Sequence, residues 1–108
     1  MRHEIILSPE AVADLGMLKA NVRALVRDAL EQYLRNEPAK LSRSRIKRLR
    51  GYARPQYRLR IGDDIRVFYD VTELAVEVIA IVPKSETVKW LERHGESDET
   101  GGPVRIDE

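Results

Sequence analysis

The sequence predicts an α+β domain: an N-terminal strand and a helical hairpin packed on an antiparallel sheet of four strands, give or take one, with a short C-terminal helix. Three observations predict it. Residues 57–69 form two arms around Gly62-Asp63-Asp64, with Tyr57, Leu59, Ile61, Ile65, Val67 and Tyr69 alternating with Arg58, Arg60, Arg66 and Phe68, the pattern of a β-hairpin. Residues 22–34 repeat apolar side chains at helical spacing. Residues 75–82 are apolar almost without a break, as an interior strand is when both its faces are covered.

The elements follow in order. His3 to Leu7 reads as a short strand. Ser8 offers an N-cap, Pro9 suits the first helical position, and Glu10 and Asp14 favour a helix start. This helix is expected to run to about Lys19, with Val12, Leu15 and Leu18 inward. Asn21 can cap a second helix, whose apolar stripe is Val22, Leu25, Val26, Ala29, Leu30, Tyr33 and Leu34; Pro38 ends it. Residues 39–45 are a polar, basic loop. Ile46 to Arg50 reads as an edge strand, with Ile46, Arg48 and Arg50 on one side and Lys47 and Leu49 on the other. Gly51 to Arg54 turns the chain into the hairpin. Pro83 stops the interior strand, and Ser85 to His94 forms the last helix, with Val88 and Leu91 inward. Residues 95–108 hold Gly, Ser, Thr, Pro and five acids, and are expected to be a disordered tail behind a single domain at residues 1–94.

The hairpin's register can be argued. A three-residue loop at Gly62 to Asp64 pairs Ile61 with Ile65, Arg60 with Arg66 and Leu59 with Val67. A two-residue loop would mix the two faces, because a one-residue slip turns every side chain over. The three-residue loop puts Arg60 directly across from Arg66, with Arg58 close by on the same face. Like charges placed opposite one another cost a few tenths to ~1 kcal/mol. Two readings account for them: a solvated face with dispersed charge, or an anion site. Arg suits phosphate, because its planar fork donates two parallel hydrogen bonds.

Composition narrows the class. At 108 residues, 43% hydrophobic and 34% charged, the chain suits one soluble domain. No apolar run approaches the ~20 residues of a membrane span, and the start lacks the apolar region of a signal peptide. A cytoplasmic location is the expectation. Cysteine is absent, which excludes disulfides, zinc–thiolate sites and Cys nucleophiles. No metal site or cofactor is expected. His3 and His94 lie far apart in the chain, so a His-pair nuclease is disfavoured, and Tyr57 and Tyr69 fall on the core face of the hairpin. The net charge of +1 is unevenly spread: residues 40–66 hold ten bases against two acids, +8, which leaves −7 for the rest. Clustered base of this kind marks a polyanion-binding face.

The runs Lys47-Arg48-Leu49-Arg50-Gly51, Tyr57-Arg58-Leu59-Arg60-Ile61-Gly62 and Ile65-Arg66-Val67-Phe68-Tyr69, in that order after a helical hairpin, resemble the RelE/ParE superfamily of bacterial type II toxins. The resemblance covers roughly residues 2–94. It implies a microbial-RNase-like fold, a cognate antitoxin and, in most members, cleavage of ribosome-bound mRNA; ParE members instead poison DNA gyrase. The RelE cleft pattern of two alternating bases, an Arg on the next strand, then a late Arg and a Tyr falls on Arg58 and Arg60, on Arg66, on or near Lys84, and on Trp90. Lys84 keeps the charge without the fork, and Trp90 offers no hydroxyl.

The chemistry implied by that resemblance is attack of a ribose 2′-hydroxyl on the adjacent phosphate. Arg60 and Arg66 would clamp the phosphate, Arg58 would lie near the 2′-hydroxyl, and Lys84 would assist the leaving oxygen. Arg48, Arg50, Arg54 and Trp90 are expected to hold the substrate strand. Two alternatives stay open at this point. Lys84 is either that proton donor or a surface lysine opening a helix, and Trp90 is either a base-stacking platform or the apolar plug of the last helix. A gyrase-directed toxin and a catalytically degenerate RNA-binding member are the competing functions.

Overall fold

A computed structural model describes residues 2–97. In chain order these residues form β1 (Glu4–Leu7), α1 (Pro9–Gly16), α2 (Ala20–Ala29), β2 (Ile46–Arg48), β3 (Tyr52–Arg54), β4 (Tyr57–Ile61), β5 (Ile65–Val71), β6 (Ala75–Pro83), α3 (Thr87–His94) and β7 (Glu96–Ser97). One π-helical turn, Leu30–Leu34, continues α2, and a 3-10 turn, Lys84–Glu86, leads into α3. The main sheet has the order β1-β6-β5-β4-β2, and β3 pairs with β7 as a separate ribbon.

The β4–β5 hairpin has the register that its alternation predicts: Ile61 faces Ile65, Arg60 faces Arg66 and Leu59 faces Val67. Gly62 opens the three-residue loop at φ +59°, a left-handed conformation that costs glycine nothing. The sheet is not wholly antiparallel, however. β1 runs parallel to β6, with Glu4 beside Ala75 and Leu7 beside Val78. β6 is flanked on its other side by β5, so β1 fills the edge position that remains.

Two cores flank the sheet. Ala11, Leu15, Val26, Leu30 and Leu34 of the helical hairpin pack on Ile46, Leu59, Val67, Tyr69 and Val78. On the opposite face Phe68, Ala80 and Val82 meet Leu49, Tyr52, Trp90 and Leu91. α3 covers the β5–β6 half of this face, and the arginines Arg58 and Arg60 stand on its β4 side. β6 serves both cores because it carries a bulge. Phe68 faces Ala80 and Tyr69 faces Val78, which leaves Ile79 as the extra residue. The phase shift puts Val76, Val78 and Ile81 in one core and Ala80 and Val82 in the other.

The first helix ties down the bulge. Ser8 caps α1 by accepting from the Ala11 N–H at 3.0 Å, and its hydroxyl donates to the Ile79 carbonyl at 2.8 Å. Asp14 accepts from the Ile81 N–H at 2.9 Å. Backbone groups that the bulge takes out of the ladder are thus satisfied by side chains of one helix.

Several helical expectations are corrected. α1 ends at Gly16 rather than near Lys19, and its Val12 is exposed. Lys19, not Asn21, holds the N-cap position of α2. Leu25 is 59% exposed, so the inward stripe is narrower than the spacing suggested. In α3 the inward pair is Trp90 and Leu91, while Val88 is 50% exposed. A helix eight residues long buries one narrow stripe, and the bulkiest side chain takes it. Residues 95–97 are ordered: Gly95 closes α3 and Glu96–Ser97 pairs with β3, where only a turn was expected. The rest of the acidic tail, 98–108, lies outside the described residues. No described helix is long and apolar enough to cross a membrane.

Candidate anion-binding site

The site is built by the β4–β5 turn. Register puts Arg60 opposite Arg66, and both side chains come back to Asp63. Arg60 donates from Nη2 to the Asp63 carboxylate at 2.6 Å and from Nε to the Gly62 carbonyl at 2.9 Å. Arg66 donates from Nη1 to the Asp63 and Ile65 carbonyls at 3.3 and 3.0 Å. The two guanidiniums therefore converge on one turn.

Their environments differ. Arg60 is partly exposed and ion-paired. Arg66 is only 6% exposed, and among the described residues it makes no ion pair within 4.0 Å. Burial lowers its pKa, and the charge of Arg60 lowers it further; Asp63 and Asp64 oppose this from a distance. A buried cation held by neutral carbonyls alone favours an incoming anion.

The neighbouring candidates are sorted by the strands. Arg58, two residues along β4 on the same face, is half-buried and faces Phe68 in the register. Lys84 follows β6 directly: its N–H donates to the Asp64 carbonyl at 2.7 Å and its side chain is exposed. It borders a hollow of about 480 Å³ with Asp64, Pro83 and Ser85. Arg60 also lines a larger groove, about 1080 Å³, between the turn and the helical hairpin. Arg50 is exposed just beyond β2.

Three expected substrate contacts are not brought into this cluster. Arg48 stands on the helical side of the sheet, its guanidinium 5.2 Å from the Tyr57 ring centre and bonded to the Gln56 carbonyl at 2.7 Å. Arg54 pairs with the buried Asp70 at 2.5 Å and approaches Glu77, so its charge is already met. Asp70 also accepts from the Gln56 N–H at 2.7 Å, which makes this a structural network at the mouth of β4. Trp90 is 8% exposed; its ring stacks on Phe68 at 5.0 Å, and its Nε1–H donates to Glu10 at 2.7 Å. It is the plug of the second core, with no free face for a base. Tyr57 and Tyr69 pack as expected, stacked at 5.5 Å, with the Tyr69 hydroxyl donating to the Pro38 carbonyl.

One cation escaped the sequence reading. Lys47 is paired with Arg58 across β2 and β4, so its side chain leaves the sheet on the arginine face. The alternation of residues 46–50 already separated Lys47 from Arg48. Only the strand pairing tells which of the two sides carries the site.

The fold, a helical hairpin over a β-sheet, is shared with solved structures of RelE-like toxins. The toxin–antitoxin complex DinJ–YafQ of E. coli superposes with a TM-score of 0.60 at 16% identity, covering 79% of this chain and 96% of that one. The archaeal RelE–RelB complex of Pyrococcus horikoshii OT3 gives 0.58 at 24% identity, with 78% and 97% covered. The YoeB dimer of Staphylococcus aureus gives 0.53 at 20%, with 76% and 97% covered. No curated protein sequence matches the chain significantly. The family model for the ParE toxin of the type II toxin–antitoxin system parDE matches residues 5–88, and the chain belongs to that family.

Proposed function

We infer that this toxin acts on RNA, as a metal-independent endoribonuclease directed at ribosome-bound message. The observation that carries the reading is Arg66: a buried guanidinium without an ion pair among the described residues, directly across the ladder from a second, releasable one. A phosphodiester bridging the two would take the donors that now point at the turn. Releasing Arg60 costs little, because an exposed ion pair such as Arg60–Asp63 is worth ~0–1 kcal/mol.

In the reaction the 2′-oxygen bonds to phosphorus, the bond to the 5′-oxygen breaks, and one proton moves from the first oxygen to the second. Arg60 and Arg66 hold the charge that builds on the phosphoryl oxygens. Arg58, two residues along β4, would lie near the 2′-hydroxyl, and Lys84 would donate to the departing oxygen. Each such donor is typically worth ~3–4 kcal/mol in a transition state. The cognate antitoxin, in this reading, neutralises the same face with acidic side chains.

Toeprinting on translating ribosomes tests it. New breaks in the message should appear with the wild-type toxin and fall about 10²- to 10³-fold with Arg66→Ala. Breaks that persist at wild-type level in both Arg60→Ala and Arg66→Ala would refute the clamp. The second reading, a gyrase-directed toxin, is favoured by the match to the ParE family model and by the burial of Trp90, which removes one expected member of the nuclease cleft. Gyrase trapped on cleaved DNA with message intact would select it.

A further inference from the structure

The arginine cluster does not stop at β4. Ile46 and Leu59 are paired and both lie in the helical-side core, so the next pair, Lys47 and Arg58, leaves the sheet on the opposite face. Arg60 and Arg66 form the corresponding pair two residues further along β4. Four cations thus form two ranks on one face, Lys47–Arg58 and Arg60–Arg66. The ranks are ~7 Å apart along the strand, and the members of each sit on neighbouring strands ~5 Å apart. Lys47 is exposed, and β2 is the edge of the sheet, so a ligand reaches it without moving protein.

We propose that Lys47, together with Arg58, forms a second phosphate subsite that holds the phosphodiester next to the one clamped by Arg60 and Arg66. The ligand class is single-stranded RNA, one backbone phosphate to each rank. This rests on the RNA reading above and deepens it: Lys47 is a positioning residue that fixes which internucleotide bond lies over the clamp. A flexible ammonium suits that task, because it neutralises a phosphate without the fixed geometry of a guanidinium fork. Arg48 supplies an internal contrast. It is adjacent in sequence and carries the same charge, but it lies on the other face over Tyr57.

The test uses the full chain and a fluorescein-labelled hexauridylate with 2′-O-methyl groups, which binds but cannot be cut. Fluorescence anisotropy is read over a series of salt concentrations. Lys47→Ala should weaken binding and reduce the slope of log K against log salt by about 0.7, the loss of one single-strand phosphate contact. Arg48→Ala should leave the slope unchanged. A hexamer of mixed sequence should show the same loss for Lys47→Ala, because phosphates carry no base information. An unchanged slope in Lys47→Ala, or equal losses in Lys47→Ala and Arg48→Ala, overturns the subsite while leaving the clamp standing. A wild-type chain that binds neither hexamer overturns the subsite, whereas the RNA reading itself stands or falls by the toeprinting on translating ribosomes.

Discussion

Single side chains decide this structure where they stand in for missing backbone partners. Asp14 is the clearest case, because it accepts from the Ile81 N–H beside the bulge. Burial raises its pKa, the Ile81 hydrogen bond partly restores it, and Glu10 raises it again. The folded state therefore binds this proton more tightly than the unfolded chain, so Asp14 costs stability as pH rises through its titration range. Asp14→Asn keeps an acceptor oxygen and removes the charge. Its stability should gain on the wild type between about pH 4 and pH 7, read from urea midpoints. Asp14→Ala, which orphans the Ile81 N–H, should lose about 1–3 kcal/mol throughout.

Among elements, the ribbon of β3 and β7 ties the end of α3 to the sheet, and it hinges on close approach rather than on backbone strain. A Cβ on Gly95 would lie 2.5 Å from the Tyr52 ring and 2.6 Å from the Leu91 carbonyl. Gly95→Ala should cost about 1–3 kcal/mol, measured by thermal melting. This ribbon was invisible in the sequence, because segments of three and two residues more than 40 positions apart carry no periodicity. The central hairpin was legible for the opposite reason: two alternating arms fit only one loop length. The burial of Trp90 was half legible. Its apolar bulk was plain, but Phe68 and Glu10, which claim its ring and its N–H, come from distant segments. The parallel pairing of β1 depends on which edge is left over, and no local pattern records that.

At the scale of the whole molecule, the two cores are not independent. Val67 and Phe68 are neighbours on β5 and feed opposite faces, and β6 does the same on either side of its bulge. The chain should unfold in one transition. Trp90 is its one tryptophan and reports the second core, while far-UV circular dichroism follows the helices and sheet. The two melting curves should coincide within about 1 °C; a separate earlier loss of fluorescence would show that α3 detaches alone. The clustering of base in residues 40–66 was legible in the sequence. Its distribution over the two sides of β2 was not, because alternation separates Lys47 from Arg48 without saying which side matters.

The turn at Asp63 has a consequence for how the chain reaches its folded state at all. Two facing guanidiniums would repel while the hairpin closes, yet the loop that joins them delivers a carboxylate to one and a carbonyl to the other. The molecule carries its own counter-ion, loosely held and 87% exposed on the acid's side. Asp63→Asn should therefore fold with the repulsion uncompensated, and added salt should raise its melting temperature more than that of the wild type.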